Sequence, residues 1–310
     1  MEAPTEDHPR RNGDPRPAAR QILATLYALE TRDEEWPGVR PDVITRRHVR
    51  NHAARFWLGD SLLPWDGAWI ELGELGLLRG RGEGVALTDA GRGPGLRWRN
   101  AFRRRRFEQI LVEAERSATF LDFLRRTGDL DVRAFSPLDR RQLDAVFDAL
   151  GPAEAAPRVL DIGCGAGHVT AAIVRRRGGS ALGIDYAAEA IELARRRVAA
   201  HGPPGVELAV LDFETADRSA LDRASPGGGE VDAAVAVDSL VFAEDLEAAT
   251  ARVLSCLRSG GALVVLALET GRRPGKAPMA RVFEALAVPF SRLDLSASAL
   301  PLLRSRQFAA

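Results

Sequence analysis

The chain has little lysine and little cysteine for its 310 residues. Lys276 is the only lysine, although lysine and arginine together number 43, so arginine supplies nearly all of the positive charge. Acidic residues also number 43, and a chain of zero net charge is not built to bind nucleic acid or an anionic membrane with its whole surface. Two cysteines, Cys164 and Cys256, exclude a disulfide framework and a Cys-x-x-Cys zinc site, which favours a reducing, cytoplasmic location.

Long apolar runs are absent as well. No run reaches the roughly 18 apolar residues of a membrane span, so we expect none. The segment Met1–Arg20 lacks the apolar stretch of a signal peptide. Residues 1–17 are rich in proline and charge, which predicts a disordered tail. The overall composition, 45% hydrophobic and 28% charged, is that of a globular protein.

Three helices followed by a β-hairpin are predicted for residues 18–95. Apolar residues at helical spacing predict one helix after Ala18, a second over Thr45–Leu58 and a third over Ala68–Leu78. Glycines 80, 82 and 84, between two apolar stretches, predict a hairpin tip. This order resembles the winged-helix family, and we expect a winged-helix-like domain here.

Linking helices are predicted for residues 96–138, because Phe102, Phe107, Leu121 and Leu124 recur at helical spacing among charged residues. The same region carries a basic cluster that could contact nucleic-acid phosphates. Salt bridges to nearby glutamates explain the cluster equally well, and we consider nucleic-acid binding the weaker interpretation. The cluster contains Arg79, Arg81, Arg92, Arg97, Arg99 and Arg103–Arg106.

Residues 139–310 alternate short apolar runs with helical stretches. This alternation predicts an α/β domain with a Rossmann-like, doubly wound and mostly parallel sheet. A helix over Asp139–Leu150 precedes the first strand. The predicted strands are Arg158–Ile162, Ala181–Ile184, Val206–Val210, Val231–Val237 and Ala262–Leu268, with helices over Gly167–Arg177, Ala187–His201 and Leu246–Leu257 between them.

The C-terminal segment contains three predicted elements. It predicts a helix over Met279–Ala287, a short strand or lid over Phe290–Leu295 and a helix over Ala299–Arg306. No final hairpin is predicted, so we expect the C-terminal strands of the sheet to be incomplete.

The first predicted strand runs into three glycines at alternate positions, Gly163, Gly165 and Gly167, and then into a helix. Glycines allow a sharp turn and the close approach of a ligand, and open α/β sheets bind ligands at the carboxyl ends of their strands. Asp161 lies just before this loop, where it could pair with a cationic group such as an α-amine and would repel a pyrophosphate.

Acidic residues also follow the next three strands. Asp185, 24 residues after Asp161, is placed to bind both hydroxyls of a ribose. Asp212 could accept a hydrogen bond from an exocyclic amine, and Phe213 could stack on a purine. Asp238 ends the fourth strand and is a candidate for contact with a substrate.

Together these motifs resemble the class I S-adenosylmethionine-dependent methyltransferases over residues 140–270. Leu160–Gly167 is similar to the family's first motif, and Leu257–Gly261 to its Leu-Lys-Pro-Gly-Gly turn. The resemblance implies that S-adenosylmethionine is the methyl donor. It implies cofactor contacts at Asp161, Gly163, Cys164, Gly165, Gly167, Asp185, Tyr186, Asp212, Phe213 and Asp238.

The resemblance further implies in-line methyl transfer to a small-molecule acceptor, with an N-terminal domain that roofs the site or forms a homodimer. The catalytic residue stays unknown, with Asp238 and His168 as weak candidates for a base. His48 and His52 have the i,i+4 spacing of a metal pair, but no third ligand is evident and we expect no metal. The alternatives are an RNA or DNA methyltransferase and a catalytically inactive, cofactor-binding regulator.

Overall fold

The computed structural model describes residues 15–31, 43–56, 65–118, 140–151, 156–267 and 278–295. Its chain divides into two compact units, Met1–Phe107 and Glu108–Ala310. Most of the predicted N-terminal tail, the positions Leu121 and Leu124 and the predicted helix Ala299–Arg306 lie outside the described residues. Within those residues, no helix is both long enough and apolar enough to cross a membrane.

The first unit contains three helices and a hairpin, in the predicted order. The helices are α1 (Pro17–Thr31), α2 (Arg46–Phe56) and α3 (Trp65–Glu74). Strands β1 (Leu78–Arg81) and β2 (Gly84–Leu87) pair antiparallel about a tip at which Gly82 has φ +59°. The unit is held together by a shared apolar core, which includes Ile22, Leu23, Leu26, Val49, Trp69, Leu72 and Leu87. Its assignment to the winged-helix family stays a prediction.

A long helix, α4 (Asp89–Arg116), follows the hairpin. Its beginning lies seven residues before the predicted linking segment, in a stretch with Gly91, Gly93, Pro94 and Gly95. Packing explains the glycine at 91, because a Cβ there would lie 2.2 Å from the Leu77 carbonyl oxygen.

The second unit is built on a parallel sheet, as predicted. Its five strands in the described residues are ordered β5-β4-β3-β6-β7, with every neighbouring pair parallel. The strands are β3 (Arg158–Ile162), β4 (Ser180–Asp185), β5 (Val206–Val210), β6 (Val231–Val237) and β7 (Leu257–Leu266). The helices are α5 (Arg140–Ala149), α6 (His168–Arg177), α7 (Ala188–His201), α8 (Arg218–Ala224), α9 (Leu246–Cys256) and α10 (Pro278–Ala285).

Helices cover both faces of this sheet, which makes it doubly wound. Alternate residues of β3 face opposite sides, so Val159 packs in one cluster with α5 and α6, while Leu160 packs in another with α8, α9 and α10. The strands are therefore apolar on both sides, and most of their bounds could be predicted from continuous apolar runs.

Strand β7 and the segment after it differ from the predictions. Helix α9 ends at Cys256, and β7 begins at once at Leu257, so the predicted Gly-Gly turn lies inside the strand. The register with β6 shifts there, since Val231 pairs with Leu257 but Ala233 with Ala262. The extra residues form a bulge, in which Gly260 has φ +79°. The predicted strand Phe290–Leu295 has no regular secondary structure.

Candidate cofactor and substrate site

The candidate site lies where the strand order reverses. β3 pairs with β4 on one side and with β6 on the other, and chain connections leave this point in opposite directions. Open α/β sheets bind ligands in the crevice at such a point, at the carboxyl ends of the strands. The topology brings to this edge the glycine loop after β3 together with Asp185, Asp212 and Asp238.

All three glycines of the loop have the left-handed backbone conformation that glycine favours, with φ of +66° at Gly163, +52° at Gly165 and +76° at Gly167. At Gly163 a Cβ would lie only 2.4 Å from the Cβ of Ser239, the residue that follows Asp238. Glycine is therefore required at this position by the close approach of the chain after β6, as well as by its own φ.

Asp185 holds the glycine loop in place from the neighbouring strand. One carboxylate oxygen accepts a hydrogen bond from the Gly165 N–H at 2.9 Å, and the other accepts one from the Ala187 N–H at 2.9 Å. The residue is 2% exposed. A carboxylate has about four acceptor positions and can accept several hydrogen bonds at once. The predicted contact with a ribose stays a prediction.

Asp161 has a different environment from the one that we expected. It is 1% exposed, and its carboxylate accepts a hydrogen bond from the Thr170 hydroxyl at 2.6 Å and another from the Thr170 backbone N–H. Thr170 lies in the first turn of α6, whose N-cap residue Gly167 has no side chain. Asp161 therefore supplies the capping acceptor from β3, and its carboxylate faces the helix.

Burial raises the pKa of the Asp161 carboxyl from 3.8 to about 7, even though the bonds from Thr170 oppose the shift. The nearby charge of Asp185 adds a smaller contribution in the same direction. The predicted pairing of Asp161 with a cationic ligand group stays a prediction.

The predicted adenine-contacting residues differ in exposure. Asp212 is half-buried after β5, and its carboxylate accepts from the Glu214 N–H at 3.0 Å. Phe213 is 6% exposed and packs in the apolar core beside Ala216 and Leu221. Its ring offers little free surface for stacking. Tyr186 is half-buried directly after β4 and keeps its predicted position at the edge of the site.

Asp238 has an unusual backbone, with φ +48°, a value that is uncommon for residues other than glycine. Its N–H donates to the Leu266 carbonyl at 2.8 Å, which joins the ends of β6 and β7. The next residue, Ser239, donates its hydroxyl hydrogen to the Ile162 carbonyl of β3. Asp238 itself is half-buried at the switch point, whereas His168, the other candidate base, is buried in the first turn of α6.

Neither cysteine is placed as a nucleophile. Cys164 is buried in the glycine loop, and burial raises the pKa of its thiol well above the ordinary value. Burial also raises the pKa of Cys256, at the end of α9. Both thiols therefore stay protonated at neutral pH, and the thiolate is the reactive form.

Three of the remaining sequence candidates, His48, Arg92 and Arg97, have partners within the first unit. The His48 Nδ1 accepts from the Thr45 N–H at 3.2 Å, at the start of α2. Among the described residues, no group of three or more His, Cys, Asp and Glu side chains is arranged to hold a metal ion. In the basic cluster, Arg92 forms ion pairs with Glu30 at 3.6 Å and Asp89 at 3.8 Å. The guanidinium of Arg97 lies 5.0 Å from the Trp98 ring centre.

Two residues of the site were not identified from the sequence. Thr170 bonds to Asp161, and Arg197 of α7 donates a hydrogen bond to the Ala166 carbonyl in the glycine loop. No motif marks Arg197, since it is the third of three consecutive arginines on a helix.

The donor and acceptor groups at this edge suit one kind of ligand. β4 ends in an aspartate, and the first charged residue after β5 and after β6 is also an aspartate, Asp212 and Asp238 respectively. Acceptors of this kind fit hydroxyl, amine and cationic groups, whereas a phosphate would be repelled. A nucleoside with a positively charged or zwitterionic tail fits this set of residues.

Residues 159–261 match the family model described as "Methyltransferase domain". This part of the chain is a methyltransferase domain. The domain is of the class I, S-adenosylmethionine-dependent type, as its motifs and sheet order predict. The match contains the glycine loop and the aspartates that follow the three neighbouring strands.

Curated relatives align with the same region. An O-methyltransferase of Pyrenophora dematioidea is 34% identical over 115 residues, which cover 36% of this chain and 40% of that protein. The O-methyltransferase cnsE of Penicillium expansum is 31% identical over 146 residues, which cover 47% and 50%. The 23S rRNA (uracil(1939)-C(5))-methyltransferase RlmD of Methylococcus capsulatus is 38% identical over 89 residues, which cover 28% and 20%. The chain thus spans half or less of the length of these relatives.

Proposed function

We propose that this chain transfers a methyl group from S-adenosylmethionine to a hydroxyl group of a small molecule. The observation that supports this function most directly is the pairing of the glycine loop with Asp185 at the switch point of a methyltransferase domain. S-adenosylmethionine supplies a methyl group on a sulfonium, which the acceptor oxygen attacks in line. The new carbon–oxygen bond forms as the methyl–sulfur bond breaks, S-adenosylhomocysteine leaves as a neutral thioether, and the hydroxyl proton passes to solvent. The contribution of the protein to such a transfer is mainly proximity and orientation.

Each residue at the carboxyl edge has a proposed part in holding the methyl donor. The carboxylate of Asp185 binds the ribose hydroxyls, and Asp212 accepts from the adenine amine. The backbone of Gly163–Gly167 lies against the amino-acid portion, and Tyr186 borders the ribose. Asp238 orients the acceptor or the methionine end. No general base is assigned. His168 is buried, and the position of Asp238 after β6 is the one observation that supports a role as a base.

The hydroxyl acceptor is supported by the two fungal relatives, which are named O-methyltransferases. The relative that methylates a uracil at C5 favours a second candidate, an RNA acceptor. That chemistry needs an activated cysteine, and this chain has only Cys164 and Cys256. Both thiols are buried with raised pKa values, which argues against C5 methylation. A homodimer through the N-terminal unit and a cytoplasmic location stay predictions.

Radiolabelled methyl transfer tests the proposal. The chain is incubated with S-adenosylmethionine labelled in the methyl group and with phenols, aliphatic alcohols, amines and ribosomal RNA in separate reactions. We expect label in one or more of the hydroxylated small molecules. Label in the RNA alone would replace the proposal with the second candidate, and label in amines alone would overturn the assignment of oxygen. No transfer to any acceptor by a folded chain would contradict the proposal.

A further inference from the structure

Arg197 occupies an unexpected position for a helix surface residue. It lies on α7, and its guanidinium donates a hydrogen bond to the carbonyl oxygen of Ala166, 31 residues earlier in the chain. Its neighbour Arg196 is exposed on the same helix. We propose that Arg197 is a positioning residue, which fixes the glycine loop and thereby sets the affinity for the methyl donor. This inference rests on the proposed function.

The Ala166 carbonyl belongs to the part of the loop with the least intrinsic rigidity. It lies between Gly165 and Gly167, both with positive φ, and glycine has more accessible backbone conformations than any other residue. Hydrogen bonds must therefore define the loop. The Gly165 N–H donates to Asp185, and the Gly167 N–H donates to the Cys164 carbonyl at 2.9 Å. Arg197 adds a charged donor to the peptide between them.

Helix α7 contacts the loop at a second point, one turn before Arg197. A Cβ at Gly167 would lie 2.9 Å from the Cβ of Ala194, so the helix packs directly against the loop backbone. Residues three positions apart share a helix face. The carboxylate of Asp185 also bonds to the N–H of Ala187, the N-cap residue of α7. The loop and the helix therefore form one packed element, in which Arg197 supplies the long polar side chain.

A loop that is already ordered binds a ligand without the entropy cost of ordering it. If Arg197 is replaced by glutamine, the Ala166 carbonyl loses a charged donor, and the loop samples other conformations before binding. We expect the dissociation constant of S-adenosylhomocysteine to rise about tenfold, because hydrogen bonds to charged groups are stronger than neutral ones. Arg197→Lys keeps a positive donor and should stay within about threefold of the wild type.

The experiment is calorimetric titration of S-adenosylhomocysteine into wild type, Arg197→Gln, Arg197→Lys and the control Arg196→Gln. Hydrogen exchange of the amides of residues 163–167 is measured on the unliganded proteins. We expect weaker binding and faster exchange at Gly165 and Gly167 in Arg197→Gln, and wild-type behaviour in Arg196→Gln.

The outcomes separate this inference from the proposed function. If wild type does not bind S-adenosylhomocysteine, the proposed function fails. If wild type binds and Arg197→Gln binds equally well, the inference alone is overturned. Equal weakening in Arg196→Gln would overturn it too, because a general effect of charge on α7 would then explain the result. Failure of Arg197→Lys to restore affinity would contradict the role of a charged donor.

Discussion

The buried carboxyl of Asp161 predicts an unusual dependence of stability on pH. The group is 1% exposed, and burial raises its pKa to about 7 in the folded chain from 3.8. Between these two values the folded state keeps a proton that the unfolded state has released. The folded state therefore binds more protons, and the free energy of unfolding falls as the pH rises. Below pH 3.8 and above about pH 7 this contribution is constant.

The size of the effect follows from the two pKa values. A change from 3.8 to about 7 corresponds to about 4 kcal/mol of lost stability above neutral pH. About 3 kcal/mol of this loss falls between roughly pH 4.5 and pH 8. Asp161→Asn removes the titration and keeps an amide oxygen that can accept from Thr170. Relative to wild type, the variant should therefore gain stability as the pH rises over that interval.

Hydrogen exchange of the β3 and β4 amides measures the free energy of unfolding in this unit. Wild type and Asp161→Asn are compared at each pH, so that the intrinsic dependence of exchange on pH cancels. Asp148→Asn, which removes an exposed carboxylate on α5, is the control. A difference between Asp161→Asn and wild type that does not change with pH would refute the reasoning, because Asp161 would then titrate alike in both states.

Two further predictions concern the close contact at the switch point and the opposite end of the sheet. Gly163→Ala should lower the free energy of unfolding by about 3 kcal/mol, because it adds a 2.4 Å clash with Ser239 to an unfavourable φ. Gly151→Ala, at φ +85° with open space around it, should cost about 1 kcal/mol by the same thermal or urea melt. Equal costs would contradict the clash. Arg158→Met removes bonds to Glu207 and to the Gly228 carbonyl and should cost about 2 kcal/mol. Arg158 lies at the first residue of β3, whereas the candidate site lies at the carboxyl ends of the strands. The affinity of Arg158→Met for S-adenosylhomocysteine, measured by calorimetry, should therefore stay within roughly twofold of the wild type.

The regular elements of the sheet could be predicted because their signals are local. The bounds of β3, β5 and β6 match the apolar runs that glycine and charged residues end. Where tertiary packing decides, the local signals were misleading. The Gly-Gly pair at 260–261 indicated a turn but forms a bulge in β7, and α4 begins seven residues before the predicted linking segment. Helix α8 was not predicted, since it is short and has few apolar residues.

At the candidate site, the sequence indicated which residues reach the sheet edge but not the direction of their side chains. Asp185 was expected to face a ligand and also binds the glycine loop. Asp161 was expected near a ligand, and its carboxylate also caps α6. The alternation along β3 could have shown this, because Asp161 shares a face with Val159, which packs on that helix. Arg197 had no sequence signal, because a contact across 31 residues depends on how α7 packs.

The central claim is that this edge of the sheet binds the methyl donor through Asp185. The most direct test is titration of S-adenosylhomocysteine and its 2′-deoxy analogue into wild type and Asp185→Asn. We predict one binding site. Loss of the 2′-hydroxyl should weaken binding to the wild type about tenfold and binding to Asp185→Asn less than about twofold. A folded wild type that binds neither ligand would contradict the account, and an equal loss in both proteins would contradict the role of Asp185.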